Sequence, residues 1–248
     1  MIPNDVCHAG CHALRRGKAF IRNKRFAMPL SMCLAFILTL LTACTAEPFS
    51  RPPLPALTNP DPITIRTHFA SLIPNAFTSD ETVIIQAPFR PDMAVLGVLR
   101  LDRSAGTFEL VGLSPMGLKF FDLYGDAHNT EIRFAAEPLQ KQTEVLNSIA
   151  QDIRRIYFDL LPAESATAKS GSTTLTFSQK TPAGTLIYQF GGDPTLLLEK
   201  RLDTTFSTAW RVQYFDYTTS PLYPRGIVMD NGQYHYRIII KNRQWVAK

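Results

Sequence analysis

Apolar and polar side chains alternate along much of the chain, and this alternation restricts the fold more than any other feature. Trp210, Val212 and Tyr214 share one face of a strand, whereas Arg211 and Gln213 share the other. Strands with one apolar and one polar face are typical of an antiparallel sheet with one buried side. The pattern predicts eleven strands, at 82–88, 93–103, 106–113, 118–125, 129–136, 172–179, 184–191, 194–202, 206–217, 225–230 and 234–241. Asn231-Gly232 and Gly191-Gly192-Asp193-Pro194 are turn signals between strands.

One segment, 139–161, has helical rather than strand periodicity. Its apolar residues recur at spacings of three and four, which places them in one stripe: Leu146, Ile149, Ile153, Ile156 and Leu160. Pro138 and Pro162 bound the segment, and the predicted helix is about 30 Å long. The stripe must be buried against the apolar face of the sheet. Two interpretations stay open, a core helix and a lid over a lipid-sized cavity.

The first 43 residues resemble an export signal. A basic stretch that includes Arg22, Lys24 and Arg25 precedes an apolar run from Met28 to Ala43, which is too short to span a bilayer. Leu41-Thr42-Ala43-Cys44 resembles the lipobox of bacterial lipoproteins. The resemblance implies that residues 1–43 are a lipoprotein signal peptide and that Cys44 becomes the lipidated N-terminus. Acyl chains on Cys44 would hold the protein on a membrane.

Without this leader, the chain has no charge excess and no usable cysteine pair. Residues 44–248 carry 20 Lys and Arg against 20 Asp and Glu, so the sequence offers no basic excess for a nucleic-acid partner. Cys7, Cys11 and Cys33 lie in the leader, so no disulfide is expected in the mature protein. The mature domain therefore depends on a hydrophobic core.

Residues 44–62 contain the lipidated cysteine and a proline-rich tether. Six prolines between 45 and 62 disfavour a helix or an interior strand and favour an extended segment that spans on the order of 50 Å. Thr45 follows the cysteine, whereas an Asp there would favour the inner membrane in the enterobacterial sorting rule. That resemblance implies a periplasm-facing protein anchored in the outer membrane. The folded β-domain is expected at 63–248.

The order of parts, lipobox, tether, five strands, helix and further strands, resembles the LolA/LolB family, and three motifs are similar to the LolB branch. They are Phe108–Gly117, Trp210–Tyr214 and the ending from Pro224 to Lys248. Met116 departs from the family's Pro-Leu-Gly turn. The resemblance implies a curved antiparallel half-barrel whose concave apolar face is closed by helices. It also implies binding of acyl chains of a lipid or lipoprotein, delivered by a periplasmic carrier protein, for transfer or insertion at the outer membrane.

On the half-barrel interpretation, twelve apolar residues line the concave, ligand-binding face: Leu99, Leu101, Phe108, Leu110, Phe120, Tyr188, Phe190, Trp210, Val212, Tyr214, Ile238 and Ile240. Ser114-Pro115-Met116-Gly117 is a turn between two strands, and Leu113 and Leu118 flank Met116. The matching turn of the family is thought to touch the membrane. The alternative is that Met116 folds back as core filler, which methionine does readily.

The mature chain contains no recognised catalytic motif. There is no Gly-x-Ser-x-Gly, no His-Glu-x-x-His, no phosphate-binding loop and no paired metal-ligand spacing. Asp122 and Asp126 lie near a strand end, where solvated turn carboxylates are common. The sequence therefore predicts a binding protein rather than an enzyme, with no cofactor, no metal and no nucleic-acid partner. An interaction lipoprotein that supports an envelope assembly or biosynthesis complex is the alternative, and it would have a filled core instead of an accessible cavity.

Overall fold

The computed structural model describes residues 48–51, 54–57 and 60–247, and the predicted signal peptide and Cys44 lie outside them. The described residues form three helices, α1 (Pro62–Leu72), α2 (Glu137–Gln140) and α3 (Thr143–Tyr157). The twelve strands are β1 (Ala76–Gln86), β2 (Met93–Asp102), β3 (Thr107–Leu113), β4 (Lys119–Gly125), β5 (Thr130–Ala135), β6 (Thr167–Ser170), β7 (Thr174–Thr181), β8 (Gly184–Gly191), β9 (Leu196–Asp203), β10 (Thr208–Tyr217), β11 (Pro224–Asn231) and β12 (Tyr236–Ala247).

All twelve strands belong to one antiparallel sheet in the order β5-β4-β3-β2-β1-β12-β11-β10-β9-β8-β7-β6. Two runs of consecutive hairpins, β1–β5 and β6–β12, meet where β1 pairs with β12. Phe77 lies opposite Ala247 at one end of this central pair, and Gln86 lies opposite Arg237 at the other. The mainly β, antiparallel class predicted from the sequence is confirmed.

The sheet is strongly curled. Arg103, which directly follows β2, and Lys200 of β9 hydrogen-bond to the carbonyls of adjacent residues, Tyr157 and Phe158. These strands are five positions apart in the sheet, which is about 24 Å at the usual spacing of neighbouring strands. Side chains from a flat sheet would not reach adjacent carbonyls from such positions. The curl encloses one hydrophobic core that contains residues from both halves of the sheet.

The eleven predicted strands correspond to β1–β5 and β7–β12, and β6 was not predicted. Its residues are Thr-Ala-Lys-Ser, which carry no apolar alternation. Strand β1 begins at Ala76, six residues before the prediction, because buried Ser79 and Glu81 occupy positions where apolar residues were expected. Strand β12 continues to Ala247. Its pairing with β1 shifts register between Asp80 and Glu81 of β1.

The single helix predicted over 139–161 is wrong in its extent. The segment forms α2 and then α3, which ends at Tyr157 and is about 22 Å long. Pro138 belongs to the first turn of α2, and Leu160 is buried although it follows the helix. No helix within the described parts of the chain is long and apolar enough to cross a membrane.

Helix α1 was not predicted, since its start at Asp61-Pro62 lies in the predicted tether and the sequence pattern gave no element between residues 63 and 81. Asp61 caps it, since its side chain accepts a hydrogen bond from the Thr64 amide at 2.9 Å, and Pro62 occupies the first turn. The expected boundary between residues 62 and 63 therefore falls inside a helix. Proline at the first helical position costs nothing, since its missing amide would have no partner within the helix.

The described part of the predicted tether contacts the sheet instead of extending freely. The ring of Phe49 lies 5.5 Å from that of Phe215 in β10 and beside Gly226 in β11. The Leu57 amide donates a hydrogen bond to the Ser172 carbonyl at 3.0 Å. The expectation of a free segment spanning about 50 Å from residue 45 to 62 is therefore wrong for these residues.

Candidate functional site

The concave face of the sheet is the candidate ligand-binding surface, and most of the predicted residues meet there. Eleven of the twelve are buried in the single core cluster: Leu99, Leu101, Phe108, Leu110, Tyr188, Phe190, Trp210, Val212, Tyr214, Ile238 and Ile240. Phe120 is the exception. It is half-buried at a register shift between β3 and β4, and Phe121 and Leu123 are the buried residues of that strand. A role for these residues in binding a ligand stays a prediction.

Helix α3 covers this face with the stripe that the sequence predicted. Leu146, Ala150, Ile153 and Ile156 are buried against the core, and Ile149 is half-buried at its margin. Helix α1 contributes Ile65 and Phe69, and the Phe69 ring lies 5.3 Å from that of Phe190 in an edge-on arrangement. Both helices are therefore part of the core in this closed arrangement.

Two cavities that border the sheet are both small. A cavity of about 30 Å³ lies beneath the end of α3, lined in part by Phe69, Arg103, Tyr214 and Trp245. A second, of about 60 Å³, lies between Arg51, Leu54 and the outer side of β9 and β10. Pockets that enclose small molecules are typically 300–1,000 Å³, so neither admits an acyl chain.

Three side chains, two from strands and one directly after a strand, hold the last turn of α3. The Tyr214 hydroxyl donates to the Ile156 carbonyl at 2.7 Å, Arg103 Nε donates to the Tyr157 carbonyl at 2.8 Å, and Lys200 Nζ donates to the Phe158 carbonyl at 2.7 Å. The last carbonyls of a helix have no partner within it and carry a partial negative charge. These donors therefore stabilise the helix terminus against the floor of the concave face.

Burial changes the ionisation of both cations. It lowers the pKa of Arg103 to about 10 and that of Lys200 to about 7, because desolvation disfavours the charged form of each. Only 2% of Lys200 is exposed, and its charge is also repelled by Arg103. The exposed carboxylate of Asp159 opposes this effect. Arg103 stays charged at neutral pH, whereas Lys200 is close to its midpoint.

Two buried carboxyl groups also contact α3. Glu81 Oε1 accepts hydrogen bonds from the Tyr157 hydroxyl at 2.6 Å and from Ser79 Oγ at 2.7 Å. Burial raises the pKa of Glu81 to about 7, against the opposing effect of these bonds. Asp152 lies on α3 itself, accepts from the Tyr236 hydroxyl and pairs with Arg155 at 3.0 Å, and burial raises its pKa. Alternation in the sequence does not predict this polar cluster, because the pattern assigns apolar residues to inward positions.

The turn between β3 and β4 presents Met116 to solvent. The Gly117 amide donates to the Ser114 carbonyl at 2.9 Å, and the Leu118 amide donates to Ser114 Oγ at 3.0 Å. Gly117 has φ +83°, a conformation that glycine adopts without strain. Met116 is 84% exposed and Leu118 is 63% exposed, while Leu113 is half-buried. Core filling by Met116 is excluded, and contact of this turn with a membrane stays a prediction.

Two further aromatic residues protrude from loops at the same ends of the strands. Phe89 follows β1 and Phe206 follows β9, and both side chains are almost fully exposed. In the antiparallel order of the sheet, β1, β3 and β9 run in the same direction, so these loops and the Met116 turn share one edge. We call Phe89, Met116, Leu118 and Phe206 the apolar rim. Phe89 and Phe206 could have been found from the sequence, because each is a large apolar residue inside an otherwise polar turn.

The remaining candidates have structural roles. Asp126 accepts hydrogen bonds from the amides of His128 and Asn129, which form the β4–β5 turn, and these bonds lower its pKa. Asp122 pairs with Lys119 at 2.9 Å on the exposed surface. No three His, Cys, Asp or Glu side chains of the described chain gather as a metal site would require.

Comparisons with known proteins give one matching family and several solved structures that are similar at low sequence identity. The family described as "Protein of unknown function (DUF3261)" matches residues 94–244, and no curated protein matches the chain. A LolA superfamily protein from Nitrosomonas europaea is 5% identical, with a TM-score of 0.48 over 75% of this chain and 93% of that one. A putative outer membrane lipoprotein-sorting protein domain from Vibrio parahaemolyticus is 8% identical, with a TM-score of 0.47 over 74% and 91%. A DUF1329 family protein from Desulfovibrio piger is 8% identical, with a TM-score of 0.44 over 75% and 92%.

Proposed function

The chain belongs to the DUF3261 family, and we propose that it is an outer-membrane lipoprotein that binds acyl chains for transfer or insertion at that membrane. The acyl chains belong to a lipid or to a lipoprotein, and a periplasmic carrier protein is the expected donor. Cys44 provides the lipid anchor on this proposal, in accordance with its resemblance to a lipobox.

The observation that carries the proposal is an extended apolar face covered by α3. The helix is held on this face by apolar packing and by a few hydrogen bonds at its end, which can be broken without unfolding the sheet. Residues of β2, β3, β8, β10 and β12 contribute to this face, and α3 crosses it. An acyl chain on the face gains about 25 cal/mol for each Å² of apolar surface removed from water, as the buried side of α3 does now. Exchange of one apolar partner for the other therefore costs far less than exposure of the face to water.

The contacts at the end of α3 are suited to such an exchange. Each hydrogen bond to a carbonyl contributes about 1 kcal/mol net, because water replaces it when the helix moves. Tyr214, Arg103 and Lys200 together provide a few kcal/mol, which a bound acyl chain can offset. The helix is therefore proposed as a cover that is stable when empty and displaced when loaded.

The apolar rim is the proposed membrane contact. Met116 and Leu118 lie at the tip of the β3–β4 turn, and Leu113 supports its base. Phe89 and Phe206 extend the contact to two more loops on the same edge of the sheet. Separate protruding side chains suit a fluid bilayer, into which each can insert without a complementary surface.

The filled core favours a second candidate, a non-catalytic interaction lipoprotein that supports an envelope assembly or biosynthesis complex. Such a protein needs no cavity, and the cavities of about 30 and 60 Å³ suit it without any movement of α3. In this case the apolar rim would bind a protein partner rather than a bilayer.

Binding of a fluorescent acyl probe, with competition by unlabelled phospholipid, separates the two candidates. We expect saturable binding that Val212→Thr on the concave face weakens several-fold, since a hydroxyl group would lie against the acyl chain. Val98→Thr, on the half-buried opposite side of β2, is the matched control and should bind as the native protein does. Absence of saturable binding would favour the interaction lipoprotein.

A further inference from the structure

Lys200 and Arg103 are two cations on the floor of a face that is otherwise apolar. Lys200 is contributed by β9, one of the strands after α3, and Arg103 directly follows β2, one of the strands before it. Their charged groups approach adjacent carbonyls at 2.7 and 2.8 Å, so they lie side by side beneath the last turn of α3. The curl of the sheet brings them together.

Neither cation has a carboxylate partner among the described residues. Lys200 contacts the carbonyls of Phe158 and, at 3.4 Å, of Asp159, and Arg103 contacts those of Tyr157 and Pro74. Carbonyl oxygens are neutral acceptors, and a buried charge without a counter-charge is costly. Burial lowers the pKa of both groups accordingly. The exposed carboxylate of Asp159 acts on Lys200 without pairing with it, and no other carboxylate is paired with either cation among the described residues.

A core that needed only a helix anchor would not require charges here. Tyr214 performs the same task at the Ile156 carbonyl with a neutral hydroxyl group. Lys200 and Arg103 each offer more donors than the carbonyls use, and both also face aromatic rings, Trp210 at 5.8 Å from Lys200 and Phe77 at 5.4 Å from Arg103. Donors in excess on an apolar floor are typical of a site for an anionic group attached to an apolar body.

We infer that Lys200 and Arg103 form a headgroup site, so that the preferred ligand is an acyl chain with a negatively charged carboxylate or phosphate headgroup. This inference rests on the proposed function and names its ligand class. The headgroup takes the place of the terminal carbonyls of α3, and the acyl chain takes the place of its apolar stripe. A full negative charge is a stronger partner for two cations than the partial charge of a helix terminus.

The headgroup site distinguishes acylated proteins from anionic lipids as ligands. The acylated amino terminus of a lipoprotein carries its chains through neutral amide and ester groups, which give the two cations no counter-charge. An anionic lipid supplies one. The headgroup site therefore favours anionic lipids over acylated protein as ligand.

A matched pair of probes tests the inference on the full chain in phosphatidylcholine nanodiscs. cis-Parinaric acid carries a carboxylate, and its methyl ester is the same chain without the charge. Energy transfer from tryptophan reports binding, since Trp210 lies next to Lys200 and the chain has only one other tryptophan, Trp245. We expect the acid to bind about tenfold more tightly than the ester, equivalent to about 1.4 kcal/mol.

Variants connect the preference to the site. Lys200→Met should abolish most of the difference in affinity between the acid and its ester, and Lys200→Arg should retain that difference. Lys180→Met, at an exposed cation of β7, is the matched control and should change neither affinity. Circular dichroism checks that each variant is folded, and the comparison of the two probes on the native chain requires no variant at all.

The outcomes separate the headgroup site from the proposed function. If neither probe binds saturably, the proposed function fails. If acid and ester bind equally well, or if Lys200→Met is folded and keeps the preference, acyl binding stands and the headgroup site is refuted. Displacement of the acid by 10 mM inorganic phosphate would show a site for free anions and would also overturn the inference.

Discussion

The Tyr157 hydroxyl donates a hydrogen bond of 2.6 Å to Glu81, and both side chains are buried between α3 and the central strand β1. Acid and phenol are thus held where water cannot stabilise a charge. Burial raises the pKa of Glu81 to about 7 and that of Tyr157 well above its usual range. The carboxyl group at this contact between the covering helix and the middle of the sheet therefore keeps its proton to about pH 7.

This contact predicts that stability falls as pH rises from 5 to 7. The unfolded chain loses the Glu81 proton near pH 4.5, whereas the folded protein keeps it to about pH 7, so the folded state binds more protons in this interval. The free energy of unfolding should decrease by at most about 3 kcal/mol across it. Urea unfolding at a series of pH values measures the slope.

Glu81→Gln keeps an acceptor for Tyr157 and Ser79 but cannot ionise, so it should flatten that slope. Asp152 contributes in the same direction and should account for what remains, since burial raises its pKa too. Glu131→Gln, at an exposed site of β5, is the control and should keep the native slope. A slope that Glu81→Gln leaves unchanged would show that Glu81 is ionised in the folded protein.

The close approach of β3 and β4 predicts that a larger residue at Gly112 lowers stability. Gly112 of β3 lies opposite Phe121 of β4, and a methyl group at Gly112 would meet the Phe121 ring at 2.3 Å. Gly112→Ala should therefore lower the free energy of unfolding by about 1–3 kcal/mol, because the ring must shift within a packed core. In Gly97→Ala, the nearest atoms are at 3.7 Å, and its cost should be clearly smaller in the same denaturation experiment. Equal costs would mean that the ring moves aside freely.

Exposure of Met116 predicts a change in transfer without a change in stability. Met116→Glu should alter the free energy of unfolding by no more than about 0.5 kcal/mol, because the side chain is 84% exposed. It should nevertheless slow transfer of a bound acyl probe to vesicles, since a carboxylate is costly to insert into lipid.

The control for this prediction is Ile63→Glu, at a residue that is 72% exposed on α1 and lies outside the apolar rim. Its transfer rate should match that of the native protein. A folded Met116→Glu protein that transfers the probe at the native rate would remove the membrane contact from the proposal, and equal slowing by both variants would show a general charge effect.

The predicted anchor is tested in cells. Cys44→Ser should leave the signal peptide uncleaved and should remove the protein from the outer-membrane fraction, because the thiol that receives the lipid is absent. Mass measurement of the N-terminal peptide and membrane fractionation give the result. Normal processing and an unchanged location of the variant would refute lipidation at Cys44.

Local patterns predicted most of the strands, whereas the helix cover and the polar cluster depend on contacts distant in sequence. Alternation gave the eleven longer strands, because each of them has at least one apolar side chain directed at the core. It failed at Phe120, where a register shift makes Phe121 the buried residue of β4. It also gave no reason to place Lys200 beside Arg103, since only the curl of the sheet makes them neighbours.

Helix α1 shows a different kind of failure. Asp61-Pro62 is a normal helix start, yet the count of prolines around it favoured an extended tether. The closed state of the concave face was also outside the reach of the sequence, because inward leucines and phenylalanines fill a core and line a cleft equally well. The volume left between these side chains is fixed only when the strands and helices have packed together.

The pairing of β1 with β12 has a consequence for how the chain reaches its native state. Paired residues of these two strands are 151 to 170 positions apart in the sequence, whereas every other pairing in the described sheet joins consecutive strands. Contacts between residues so distant in sequence form slowly, because a long loop must close first. The β1–β5 and β6–β12 meanders can each begin to form on their own. The enclosed interior exists only after residues 236–247 have joined β1, and until then each meander exposes an unpaired strand edge and its half of the apolar face to aggregation.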